Sequence, residues 1–232
     1  MTPEEIQGRI LYRDALMLVI NKPAGVPVHQ SHPNAVSRDA HLEQYFPALQ
    51  FGLPKPPQLA HRLDKDTSGC LVLGRHRKAL DDLSKLFREG LMTKTYWAVV
   101  KGGPEEDEGF IDLALGRMDQ SKGWWMKPDP NGLPSQTGWK VMGRADGYTL
   151  MELSPHTGRT HQLRVHTQAK GWPIIGDPIY GDGKITGERL HLHARSITIP
   201  LYKNKPPIKV EAPAPDHMVK RMKACGYSEV SR

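Results

Sequence analysis

The chain has 232 residues, 38% of them hydrophobic and 25% charged, which fits one large globular domain able to bury a real core. No apolar run approaches the roughly 20 residues of a bilayer-spanning helix, and residues 1–9 carry Glu4 and Glu5 with no leader-like pattern, so a soluble cytoplasmic protein is expected and a membrane protein is not. Thirty-two Lys and Arg against 25 Asp and Glu leave a net charge of +7, a balance that suits a polyanionic partner.

In chain order, residues 16–20 form a short apolar run that ends at Asn21-Lys22-Pro23-Ala24-Gly25, a buried strand entering a turn. The Pro-rich residues 47–57 read as a surface connection. Residues 69–74 are strand-like, and residues 78–89 place Leu80, Leu83, Leu86 and Phe87 on one helical face before Gly90. Residues 93–101, rich in aromatic and β-branched side chains, predict a strand stopped by Gly102-Gly103-Pro104. Residues 109–146 are turn-rich and hold Trp124, Trp125 and Trp139, with strands expected at 136–142 and 148–153. Residues 159–170 look helical but carry few strong apolar residues, so one face is expected to look at solvent or ligand. A strand at 190–199 and a short helix at 216–223, capped by its Asp, complete the series. Strands outnumber helices without βαβ alternation, which predicts an α+β fold with a mostly antiparallel sheet.

Common cofactor and hydrolase signatures are absent: there is no Walker loop, no G-x-G-x-x-G opening a helix, no H-E-x-x-H and no G-x-S-x-G. Cys70 and Cys225 lie in unrelated contexts and read as reduced packing residues. His191 and His193 share a strand face but lack nearby Cys or carboxylate ligands, so no metal is expected. What remains is His61-Arg62-Leu63-Asp64-Lys65-Asp66-Thr67-Ser68-Gly69, joined by Lys94-Thr95-Tyr96 and by the run from Thr157 to His166. On local physics alone the first of these is a polar bend, with Asp64 or Asp66 in an Asx-turn. Asp64 with Asp66 could also serve as the paired carboxylates of a glycoside hydrolase, although so local a pair is expected to diverge.

His61 to Gly69 resembles the H-R-L-D-x-x-T-S-G signature of the RluA-type RNA pseudouridine synthases. Five further segments resemble that family's motifs in its chain order: Asn21 to Gly25 (N-K-P-x-G), Lys94 to Tyr96 (K-x-Y), Thr157 to His166 (T-G-R-x-H-Q-L-R-x-H), Gly176 to Gly181 (G-D-x-x-Y-G) and Leu192 to Ala194 (L-H-A). The resemblance implies the pseudouridine synthase fold, an extended mixed sheet flanked by helices with a catalytic cleft across its middle. It implies one catalytic domain over residues 1–232, with a motif-bearing core at about 10–213, a short helix at 214–225 and no S4 domain. It implies isomerisation of uridine to pseudouridine in structured RNA, transfer RNA or large-subunit ribosomal RNA, by a monomer with no cofactor and no metal. Within that frame Asp64 matches the catalytic aspartate, Arg164 its partner arginine, and Tyr96 the residue that stacks on uracil. Arg62 matches the residue that fills the vacated base stack, and Lys94, Arg159 and His161 fall to RNA contact. An RNA-binding or RNA-folding module of the same fold without catalysis is the alternative.

Overall fold

The computed structural model describes residues 1–29, 40–119 and 125–228; Trp124 lies outside them. The elements are α1 (Pro3–Gln7), β1 (Ile10–Arg13), β2 (Met17–Lys22), a 3-10 helix (Leu42–Leu49), β3 (Gln58–Leu59), β4 (Ser68–Gly74), α2 (Arg77–Arg88) and β5 (Thr93–Lys101). They continue as β6 (Glu108–Asp112), β7 (Leu115–Arg117), β8 (Met126–Pro128), β9 (Gln136–Ala145), β10 (Tyr148–Pro155) and α3 (Gln162–Ala169). The last are α4 (Gly183–Thr186), β11 (Leu192–Ile199), β12 (Ile208–Glu211) and α5 (Asp216–Ala224). The chain divides into two compact units, Met1–Thr93 with Ala194–Pro213, and Lys94–His193 with Ala214–Arg232. The expected α+β class with mostly antiparallel pairing is what the strands show.

In the first unit the strand order is β1-β2-β4-β11, with β12 on β11 and β3 on β4. All seven residues of β4 are buried, which explains its unbroken small and apolar sequence, Ser-Gly-Cys-Leu-Val-Leu-Gly. Met17 and Val19 of β2, Cys70 and Val72 of β4, and Ile197 and Ile199 of β11 pack with Leu83 of α2 in one core cluster. Helix α2 begins where His76 accepts a hydrogen bond from Ala79 N–H, and its predicted face is turned inward through Leu83, with Leu86 and Phe87 at the margin. Close packing is possible because Gly74 has no Cβ: one there would lie 2.8 Å from Leu80 Cα.

The second unit has the order β5-β10-β9-β6, with β7 and β8 forming a separate two-stranded ribbon. Strand β5 is buried on both faces. Ala98 and Val100 pack with Met151, Leu153 and Leu163 of α3, whereas Trp97 and Val99 pack with Leu150 and with Met218 and Met222 of α5. Two helices thus cover opposite faces of one sheet, and this accounts for the nearly continuous apolar run Trp-Ala-Val-Val.

Three expectations are corrected. Helix α3 starts at Gln162 rather than 159, because His161 takes a left-handed backbone conformation (φ 54°) that ends helical geometry on its N-terminal side. Helix α5 has Pro215 at its N-cap with no side-chain cap, and Asp216 sits inside the first turn. Pro47 lies within the 3-10 helix, whose Leu42, Phe46 and Leu49 are buried, so that part of the Pro-rich stretch is packed structure and not a surface connection.

Gly69, in β4, has φ 107°, and a Cβ there would sit 2.2 Å from the carbonyl oxygen of Ala194. Gly102 has φ 71° with nothing within 4 Å. Gly69→Ala should therefore cost about 3 kcal/mol or more, backbone strain plus overpacking, against about 1 kcal/mol for Gly102→Ala. Urea denaturation of both variants checks this; equal losses would show that the contact with Ala194 relaxes freely.

Candidate active site

Arg62 and Asp64 belong to the first unit, and Lys94, Tyr96, Arg159, His161 and Arg164 to the second. Asp64 opens a turn closed by a hydrogen bond from Thr67 N–H to Asp64 O at 3.2 Å. The turn leads into buried Thr67 and Ser68, and Asp64 itself is half-buried while Arg62 is exposed. The stretch is thus a true bend, as its polar sequence implies. It is anchored from below by Lys22, whose ammonium donates to Lys65 O at 2.9 Å.

In the second unit every residue from Gln162 to Thr167 is buried, so the sparse apolar content of α3 does not mark a face turned to solvent. Its polar side chains are matched instead. Gln162 Nε2 donates to Gln136 O at 2.9 Å and Thr137 Oγ1 at 3.0 Å. Gln162 Oε1 accepts from Thr157 Oγ1 at 2.7 Å and Arg159 N–H at 3.0 Å. One turn on, His166 Nδ1 meets Thr137 Oγ1 at 2.9 Å and Nε2 meets Leu113 O at 3.0 Å. The carbonyl requires a donor, so Nε2 carries the proton and Nδ1 accepts from the threonine hydroxyl. The motif Thr-Gly-Arg-x-His-Gln-Leu-Arg-x-His is therefore largely a device for docking α3 onto β9.

Arg164 is 3% exposed and pairs with Asp177, Nε to Oδ2 at 2.7 Å and Nη2 to Oδ1 at 2.8 Å. Burial would raise the Asp177 pKa. The hydrogen bonds and charge of Arg164, with the N–H groups of Tyr180 and Ile179, more than reverse this and hold the carboxyl below the usual carboxylate range. Arg164 also lies 5.2 Å from the ring centroid of Tyr180. Tyr180 OH accepts from Met126 N–H at 2.8 Å and meets His161 Nδ1 at 2.8 Å. One tyrosine thus joins the left-handed His161, the ribbon strand β8 and the guanidinium of Arg164.

Lys94 Nζ reaches Thr157 O at 3.5 Å and would be 3.8 Å from a Cβ at Gly158; burial lowers its pKa. Arg159 is exposed, with Nε on Pro134 O at 3.1 Å. Tyr96 is half-buried in β5 opposite Leu153 and packs against the same core cluster as Trp139 and Trp172. The residues that sequence reasoning left without a role are Asp177, Tyr180 and Lys22. All three lie in motifs it did single out, so the signal was present but the partner was not legible.

The chain matches the family model described as RNA pseudouridylate synthase over residues 16–169. It is 43% identical to an uncharacterized RNA pseudouridine synthase of Zymomonas mobilis, covering 89% of this chain and 94% of that protein. It is 35% identical to ribosomal large subunit pseudouridine synthase C of Vibrio vulnificus, over 93% of this chain and 69% of that one. Human RNA pseudouridylate synthase domain containing 4 superposes with a TM-score of 0.81 at 27% identity, over 97% of this chain and 95% of that chain. The chain belongs to the RNA pseudouridine synthase family. Members of this family are isomerases, and their substrates are RNA. Among the described residues no helix is long and apolar enough to cross a membrane.

Two expectations follow for this synthase. Breaking the Arg164 pair by Asp177→Ala should cost about 3 to 5 kcal/mol in urea denaturation, because it removes the carboxylate that binds a buried guanidinium through two bonds. His166 is pushed below its ordinary 6.5 by burial, so the folded protein holds it neutral while the unfolded chain takes up a proton. Its contribution is complete above pH 6.5 and is lost as pH falls below it. Stability measured from pH 7.5 down to about 5 should decline less steeply in His166→Gln than in the parent; parallel curves would refute the assignment.

Proposed function

We propose that this protein converts uridine to pseudouridine in a structured RNA, with large-subunit ribosomal RNA as the substrate and Asp64 as the reacting carboxylate. The observation that carries the reading is the family match over residues 16–169, a stretch that contains Asp64, Tyr96 and Arg164. The ribosomal target is supported by the name of the Vibrio vulnificus relative.

In the reaction the bond from nitrogen 1 of uracil to the sugar breaks, the base turns, and carbon 5 bonds to the same sugar carbon while its proton leaves and nitrogen 1 gains one. The conversion is redox-neutral. Asp64 acts beside the sugar, either by forming a covalent adduct or by removing a sugar proton, and both routes require the ionised carboxylate. Arg164 is the cation assigned to work with that carboxylate. Its clamp on Asp177 suits this role, because a guanidinium already fixed in plane is not reorganised when substrate arrives. Tyr96 stacks on the uracil and relays the carbon 5 proton through its hydroxyl. A uridine inside a stacked helix is out of reach, so it must be flipped out at about a few kcal/mol, with Arg62 filling the gap it leaves. Lys94, Arg159 and His161 contact the RNA around it.

Incubation with RNA labelled with tritium at carbon 5 of uracil should release label, first from large-subunit ribosomal RNA. Asp64→Asn should abolish release while the fold survives, since the turn is closed by the main-chain bond from Thr67 N–H to Asp64 O, and RNA affinity should change little because phosphate contacts dominate it. A folded Asp64→Asn protein within about tenfold of the parent, a barrier change of about 1.4 kcal/mol, would overturn the assignment. Binding without release from any RNA class would favour the catalytically silent alternative.

A further inference from the structure

Lys22 ends β2, opposite Gly69, and is 0% exposed. Its Nζ donates to three main-chain carbonyls, those of Pro23 at 2.8 Å, Val26 at 2.7 Å and Lys65 at 2.9 Å. The oxygen of Lys65 also accepts from Gly25 N–H at 3.0 Å. An ammonium has three N–H donors and here each has an acceptor, so its hydrogen-bonding capacity is fully used. Lys65 is the residue after Asp64, within the turn closed by Thr67 N–H on Asp64 O. The turn is therefore held twice over: its ends are joined by Thr67 N–H on Asp64 O, and its inner carbonyl, that of Lys65, is held by Lys22 with Gly25. This fixes the backbone position of Asp64 through main-chain bonds.

We propose that Lys22 is a positioning residue for Asp64, acting through the turn of residues 64–67, and that it does so only as the ammonium ion. The inference rests on the assignment of Asp64 as the reacting carboxylate. A neutral amine keeps two donors, so one of the three carbonyls loses its partner inside the protein and the local arrangement must loosen. The charge matters for a second reason. The charged groups acting on Lys22 are Asp66 and Asp64, which favour the ammonium, whereas burial opposes it and brings the pKa down to about 7. The ammonium thus also sets a positive charge close to the turn that carries Asp64. As pH rises, loss of this proton withdraws both a donor from the turn and a positive charge from the carboxylate. Activity then falls on the alkaline side.

The test uses the full chain and RNA labelled with tritium at carbon 5. Release is measured from pH 6 to 9.5, alongside a titration of carbon-13-labelled lysine side chains by NMR. A parent that releases label establishes the activity first, so the shape of its profile then bears on Lys22 alone. The expected result is an alkaline decline in kcat of about tenfold per pH unit, with its midpoint shared by one lysine resonance that is absent from Lys22→Arg. In Lys22→Arg, whose guanidinium stays charged, the decline should move up by at least one pH unit with KM little changed. Should that variant fail to fold, the coincidence of midpoints in the parent decides. An unshifted decline in folded Lys22→Arg, or lysine resonances that all titrate near 10.5 in an active parent, overturns the proposal.

Discussion

A helix whose strongest apolar residues are one leucine and one valine has little hydrophobic burial with which to hold its place, yet α3 is buried from Gln162 to Thr167. Each polar side chain taken inside must recover the hydrogen bonds it gave up to water, and an unmatched one costs about 1 to 3 kcal/mol. That requirement organises the second unit. Gln162 and His166 stand one turn apart and both bond to residues of β9, while Thr167 bonds back to the carbonyls of Leu163 and Arg164. Hydrogen bonds are directional where apolar contacts are not. A helix held this way has one rotation and one height on the sheet, and Arg164, carried between Leu163 and Val165, inherits that precision.

The segment from Gly176 to Tyr180 is the counterpart of this helix. Gly176 has φ 71°, and a Cβ there would lie 2.1 Å from Arg189 O, so the chain passes too close to its neighbour for any side chain. The tight passage brings Asp177 under Arg164, and the same carboxylate oxygen that receives Nη2 also accepts from Ile179 and Tyr180 N–H at 2.8 and 3.0 Å. Asp177 is therefore both a loop organiser and a counter-ion. Tyr180 extends the arrangement outward, since its hydroxyl touches His161 on one side and the backbone of β8 on the other. His161 keeps an uncommon positive φ, a strain of about 1 to 3 kcal/mol that persists where surrounding contacts over-determine it.

Strands β4, β5, β9 and β10 and helix α2 are legible from apolar pattern, because each buries one or both faces against a regular neighbour. Strands β1, β3, β6, β7, β8 and β12 are not legible in this way. They are short, and β6 has a single buried residue, so their pairing is imposed by tertiary neighbours and not by their own period. At the site, residue identities were legible through motif resemblance but partners were not. Nothing in the spacing of residues 164 and 177 says that one is the other's counter-ion. Nor does a lysine beside a Pro-Gly turn reveal that it lies inside. Of the expectation that one face of α3 looks at solvent or ligand, the solvent reading is set aside for the same reason: composition reports what must be solvated or bonded, not which of the two occurs.

The two buried cations differ in how they are held, and the difference explains the choice of residue. Lys22 is a point charge bonded to three separate carbonyls, an arrangement that a compact ammonium with three rotatable donors can satisfy. Arg164 faces one carboxylate, and two parallel bonds to its two oxygens fix the plane of the guanidinium as well as its position. A lysine at 164 would keep the charge but lose the plane, since a single ammonium cannot bind both oxygens side-on with the geometry of a fork. An arginine at 22 would keep the charge but present planar donors in place of one compact ammonium. In each unit the side chain is thus matched to its acceptors, and a substitution at either position has to keep the charge as well as a partner for each of them.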